Sequence, residues 1–154
     1  MNDDDEKRRD HKYLQSHKYN ERIRLKSGTF LHTYCPKCSE SLIVNGQIRL
    51  KATNPDEKEG VLELSPYLNV FNHHSTMDIQ PAAELHDLRC PHCNQSIVHP
   101  EVMCGACGSH TAELSVAAVH IRVPFLICLK EGCHWHGIQP EDEQLLIQDA
   151  SDEW

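Results

Sequence analysis

The chain has no long apolar run, few aromatic residues and no excess of positive charge, and each shortage excludes something. Its longest uninterrupted apolar stretch, Val123 to Leu129 with Pro124 inside it, is seven residues, against the roughly 20 that a membrane-spanning helix needs. It opens Met-Asn-Asp-Asp-Asp-Glu-Lys-Arg-Arg with no apolar stretch behind the charges. A secretory signal is therefore not expected, and the cytoplasm is the expected compartment. Aromatic residues make up 6% of the 154, so large rings do not dominate the core, which is modest or split into two very small ones. The formal net charge of −8 argues against tight non-specific binding of nucleic acid by the whole surface. No glycine-rich phosphate loop, Ser-His-Asp signature or H-E-x-x-H motif is present. The carboxylates are scattered through polar segments and read as solvated. This leans away from an enzyme, while leaving open a non-catalytic subunit of one.

What the chain has in excess is cysteine, eight in 17.6 kDa. They fall into four pairs. Cys35-Pro-Lys-Cys38, Cys90-Pro-His-Cys93 and Cys104-Gly-Ala-Cys107 are C-x₂-C, and Cys128-Leu-Lys-Glu-Gly-Cys133 is C-x₄-C. A two-residue spacer lets two thiolates reach one tetrahedral ion, and a Pro or Gly after the first Cys suits a tight turn whose N–H groups point at sulfur. In a reducing compartment such pairs are more often metal ligands than disulfides. Four half-sites complete two Cys₄ sites, so Cys35, Cys38, Cys90, Cys93, Cys104, Cys107, Cys128 and Cys133 are all expected to bind metal. Zinc is the default ion, and a Cys₄ zinc site has no open position for water or substrate, which makes it structural. His134 and His136 follow Cys133 directly. Either would complete a Cys₃His site in place of a thiolate, but the complete cysteine set favours reading both as neighbours of the knuckle. His73-His74 reads as surface histidine in a polar loop, with an exchangeable metal or pH-sensing site as the alternative. Iron in one knuckle would make an electron carrier instead.

The stretch Cys90-Pro-His-Cys93, ten residues, then Cys104-Gly-Ala-Cys107-Gly108 resembles the zinc-ribbon (rubredoxin-like knuckle) families over about 20 residues. Asn94 stands where those families usually carry Gly after the first pair, and Asn also tolerates a positive φ. The resemblance implies a small β fold and a metal; it implies no task, since zinc ribbons serve many.

Three pairings of the half-sites are open. A nested arrangement joins 90/93 with 104/107 and 35/38 with 128/133. It is preferred because it closes the shortest loop, although loop entropy grows only logarithmically. It also sets Phe30–Tyr34 beside Pro124–Ile127 as neighbouring strands. A sequential arrangement joins 35/38 with 90/93 and 104/107 with 128/133, and a cross-brace is the third option. A weak internal repeat relates His32 to Ile43 with His86 to Ile97, each holding a cysteine pair between short apolar or aromatic segments.

The overall expectation is mainly β: small zinc-ribbon-type sheets stapled by two Cys₄ sites. Leu42 to Lys51 reads as a hairpin turning at Asn45-Gly46. Val61 to Phe71 reads as an edge or bulged strand because of Pro66, Pro81 to His86 as a short helix, and Leu114 to Leu129 as a strand broken or bent at Pro124. Glu141 to Asp149 reads as a helix with Pro140 in its first turn. Three segments result: a basic arm over 1–29, disordered or helical on binding; a double zinc-ribbon-like β domain over 30–138; and an acidic segment over 139–154. The arm is sharply basic, with eight Lys or Arg against two acids between Lys7 and Lys26, while Glu141 to Trp154 holds six acids and no base. The expected function is a zinc-stabilised accessory or adaptor subunit that binds another protein, within a larger enzyme assembly. A nucleic-acid-binding zinc-ribbon protein is the first alternative, with Tyr13 and Tyr19 of the arm available to stack on bases. A rubredoxin-like iron carrier is the second. No membrane partner is expected.

Overall fold

Alternation of apolar and polar residues builds the two central strands. In β3 (Gln47–Thr53), Ile48, Leu50 and Ala52 are buried while the residues between them are half-exposed. In β8 (His110–Ala117), Ala112, Leu114 and Val116 are buried in the same way. The computed structural model describes residues 25–151, so the expected basic arm lies, up to residue 24, outside the described residues.

Each central strand organises one antiparallel sheet of five strands. In the first sheet, β8 pairs with β9 (Arg122–Cys128) from Thr111↔Cys128 to Ala117↔Arg122, and β10 (His136–Gly137) adds outside β9. The other side of β8 is shared by β7 (Val98–Met103) and β1 (His32–Tyr34). In the second sheet, β3 pairs with β4 (Glu59–Leu64) from Ile48↔Leu64 to Thr53↔Glu59, and β5 (His73–Ser75) adds outside β4. The other side of β3 is shared by β2 (Ile43–Val44) and β6 (Asp87–Arg89). The two sheets thus follow one plan and pack across one core, with Leu50, Leu62 and Leu88 from one meeting Leu114, Val116 and Phe125 from the other.

The hairpin at Asn45-Gly46 forms as expected, with φ of 52° and 80° at its two central residues, the left-handed pair that a tight strand reversal requires. Three other expectations are corrected. Pro66 lies beyond β4, which ends at Leu64 and is flanked on both sides, so β4 is not an edge strand. Pro81 to His86 is not helical: Ala82 has a φ of 64°, and Leu85 N–H donates to Leu129 O and His86 N–H to Thr53 O, so the segment is a turn bonded to both sheets. The break in the apolar run 114–129 falls at residues 118–121, not at Pro124, which sits inside β9 opposite Ser115. There β10 covers only Leu126 and Ile127 on the outer side of β9, so no neighbouring strand of the sheet needs the N–H that proline lacks.

The helix α1 (Pro140–Ser151) matches the expected acidic segment. Pro140 opens it and Glu141, Asp142 and Glu143 fill its first turn, where acids suit the helix dipole. It is fastened by fully buried Leu146 and by Asp149, 6% exposed, in the last turn. Asp149 Oδ2 accepts from the N–H groups of Val119, His120 and Ile121 at 3.1, 2.6 and 3.0 Å. An acid at a helix C-terminus opposes the dipole, and these three donors of the β8–β9 turn supply the compensating partners. Among the described residues no helix is long and apolar enough to cross a membrane.

Candidate metal centres

The first C-x₂-C pair is built on a turn of backbone hydrogen bonds. Cys35 N–H donates to Glu40 O and Ser39 N–H to Cys35 O, both at 2.9 Å. The second pair repeats it, with Cys90 N–H to Gln95 O at 3.1 Å and Asn94 N–H to Cys90 O at 2.8 Å. So does the third, with Cys104 N–H to Ser109 O at 2.8 Å and Gly108 N–H to Cys104 O at 3.0 Å. In all three the residue after the second cysteine is left-handed: Ser39, Asn94 and Gly108 have φ of 69°, 59° and 80°. Asn94 therefore does what a glycine would do at that place. The turn aims N–H groups at the first sulfur of each pair, from Lys37 to Cys35 Sγ at 3.2 Å, His92 to Cys90 Sγ at 3.2 Å and Ala106 to Cys104 Sγ at 3.3 Å. In the C-x₄-C segment, Lys130 N–H reaches Cys128 Sγ at 3.3 Å. Such donors favour the thiolate, the form that binds metal.

The eight sulfurs gather in two groups of four, Cys35, Cys38, Cys90 and Cys93, and Cys104, Cys107, Cys128 and Cys133, and within each group all lie within 4.8 Å of one another. Either group could hold a metal ion. The closest sulfurs from different pairs are 3.8 Å (Cys35–Cys93), 3.8 Å (Cys38–Cys90), 3.7 Å (Cys104–Cys133) and 3.5 Å (Cys107–Cys128) apart. Four sulfurs at about 2.3 Å from a tetrahedral zinc stand about 3.8 Å from one another. A disulfide needs about 2.05 Å. Distance and donor type thus both fit an ion at the centre of each group.

The thiols of the two groups differ in how readily they ionise. Burial pushes Cys90 up to about 12, against the N–H donors of its own turn and with Cys35 and Cys38 beside it. Burial, together with Cys107, Cys133 and Cys104, pushes Cys128 up as well. Cys107, exposed, is drawn down to about 6 by the hydroxyl and N–H of Ser109, its sulfur lying 3.2 Å from Ser109 Oγ. Four thiolates this close cannot all ionise without a cation among them.

The nested pairing is overturned: 35/38 joins 90/93, and 104/107 joins 128/133. The reason is register along β8: Met103↔His110 and Thr111↔Cys128 set the third and fourth pairs together at its first residues, while β1 pairs with Ser115 to Ala117 and places the first pair further along. The logarithmic saving of a short loop is too small to undo that pairing. The neighbouring-strand expectation fails by one place, since β8 lies between β1 and β9.

Neither His134 nor His136 joins a group of four. His134 stacks on Phe71 and His136 on Phe125, with centroids 4.0 and 5.1 Å apart. His73 and His74 are in β5 rather than a loop, and His73 Nε2 lies 3.3 Å from Glu131 Oε2. Sequence reasoning missed Asp149, whose signal was its place against the helix dipole. It also missed Trp135: a Cβ on Gly105 would come 2.9 Å from its Nε1, and one on Gly137 2.6 Å from its Cη2. The indole therefore occupies the space that a side chain would need within the Cys104-Gly-Ala-Cys107 turn.

The chain matches no protein family, no curated protein and no solved structure.

Proposed function

We propose that each group of four sulfurs holds a structural zinc ion and that the chain is a zinc-stapled accessory or adaptor module that binds another protein. The observation that carries the metal reading is the sulfur spacing of 3.5–3.8 Å between pairs, with four thiol donors in each group. With all four positions taken by sulfur, no place is left for a water or a substrate on the ion. Binding worth about 10–16 kcal/mol per site is coupled to folding, against a usual net stability of about 5–15 kcal/mol.

The partner reading is supported by one loop. Tyr67, Val70 and Phe71, in the connection from β4 to β5, are 46, 40 and 44% exposed. Three large apolar side chains within five residues form a ridge of the kind that partners cover. The oppositely charged terminal segments add contact elements of both signs. Elemental analysis of native protein should return two zinc ions per chain and no iron. In pull-downs from native extract, the double variant Tyr67→Ser/Phe71→Ser should lose a stoichiometric partner while keeping its zinc. A wild-type chain that elutes alone at its monomer size from every native extract would overturn the partner reading and leave the zinc reading standing.

A further inference from the structure

Beyond their packed core the two sheets do not close on each other, and a cleft of about 180 Å³ opens there, lined by Leu64 of β4, by Tyr67, Val70 and Phe71 of the β4–β5 connection and by His134 and His136 among others. Native cores leave few spaces larger than a water molecule, and a dry apolar cavity of about 150 Å³ takes up benzene. This cleft is larger, but it opens to the surface and its walls are partly polar, with Asn69, Asn72, Lys130 and Glu131 among the apolar side chains.

Its mouth is made of rings. His134 lies on Phe71 with planes 5° apart, and His136 lies on Phe125 with planes 12° apart; all four line the cleft, and Tyr67 joins them. Parallel stacks present ring faces, on which a further flat ring gains offset stacking and dispersion across its whole surface. A flexible alkyl chain gains no stacking there and loses rotamer freedom on entry. At the rim, the His73–Glu131 pair offers a hydrogen-bonding edge for one polar substituent.

We infer that the cleft between the sheets is a binding site for a small flat ring compound, one or two fused rings, largely apolar and carrying at most one polar substituent. The site goes beyond the proposed partner-binding role and shares Tyr67, Val70 and Phe71 with the ridge assigned to it; it is tested on the isolated chain, which holds every wall of the cleft.

The test titrates the zinc-loaded full chain with indole, and in parallel with n-hexanol, following backbone amide and methyl NMR signals. Saturable shifts confined to cleft residues are expected, with an indole dissociation constant below about 1 mM and about tenfold tighter than that of n-hexanol. Leu64→Phe, which places a ring of the chain's own in the cleft, should weaken indole binding at least about tenfold with zinc content unchanged. If that variant does not fold, His134→Ala, which removes half of a stack at the mouth, should weaken indole binding while leaving zinc in place. The proposal is overturned by an absence of saturable indole shifts, by shifts scattered over the exterior, by equal affinity for n-hexanol, or by undiminished binding in the folded variants. A dimer in which a second copy fills the cleft would overturn it too.

Discussion

The sulfur of Cys35 lies 3.8 Å from that of Cys93, although 58 residues separate them. The turn that carries Cys35 leads from β1 in the first sheet to β2 in the second, and the turn that carries Cys93 leads from β6 in the second sheet back to β7 in the first. The first sulfur group therefore ties sheet to sheet. The second group lies between β7 and β8 and between β9 and β10, all strands of one sheet, so it fastens only one end of that sheet.

Unequal consequences of losing the two groups follow from this placement. Cys90→Ser, at a fully buried position, should abolish cooperative melting, because on the proposed zinc reading about 10–16 kcal/mol of folding-coupled binding disappears from the junction of the sheets. Cys107→Ser, at an exposed position, should lower zinc content from two to one per chain and leave the amide signals of β2–β6 in place. On the proposed zinc reading, a limiting dose of chelator should empty the second group first, since the Cys107 thiol is exposed. Elemental analysis with NMR on each variant checks this; equal collapse of both would contradict it.

The contact of Trp135 with Gly105 and Gly137 is a matter of space, since Cβ atoms there would come within 2.9 and 2.6 Å of the indole. Gly137→Ala should cost about 1–3 kcal/mol through forced displacement of the ring. A second change, Trp135→Leu, should recover part of that loss in the double variant. Urea denaturation followed by circular dichroism measures both.

The N–H groups of Ile121 and His120, then that of Val119, with the His120 ring, hold the Asp149 carboxyl below its ordinary 3.8. Because the folded-state value is the lower one, the carboxylate stabilises the docked helix fully above pH 3.8 and loses that effect as pH falls below it. Asp149→Asn should therefore be less stable than the parent chain at neutral pH, with the difference shrinking in acid below 3.8. Hydrogen exchange of the α1 amides across that range, on parent and variant, gives the readout. A difference that grows in acid would reverse the sign of the argument.

Local features were legible from the residues alone. Asn45-Gly46 set its turn because both central positions need positive φ, and Pro140 opened α1 because the first helical turn needs no N–H. The internal repeat carried more than was taken from it. Its two copies, around Cys35 and around Cys90, are the two turns that share one sulfur group, so matching flanks were a better guide to pairing than loop length. Pro124 misled in the other direction, because a proline breaks a strand only where a neighbour requires its N–H, and that depends on which strand lies alongside.

The residues by themselves determined that all eight cysteines come as half-sites and that the chain between them is β, because a two-residue spacer and an alternating strand act over a few ångströms. Only the tertiary structure decided which half-sites meet, that Asp149 caps the β8–β9 turn and that a ring-lined cleft remains between the sheets. Each of these depends on where a rigid strand delivers its far end, and the seven uninterrupted pairs of β8 with β9 move that end about 20 Å.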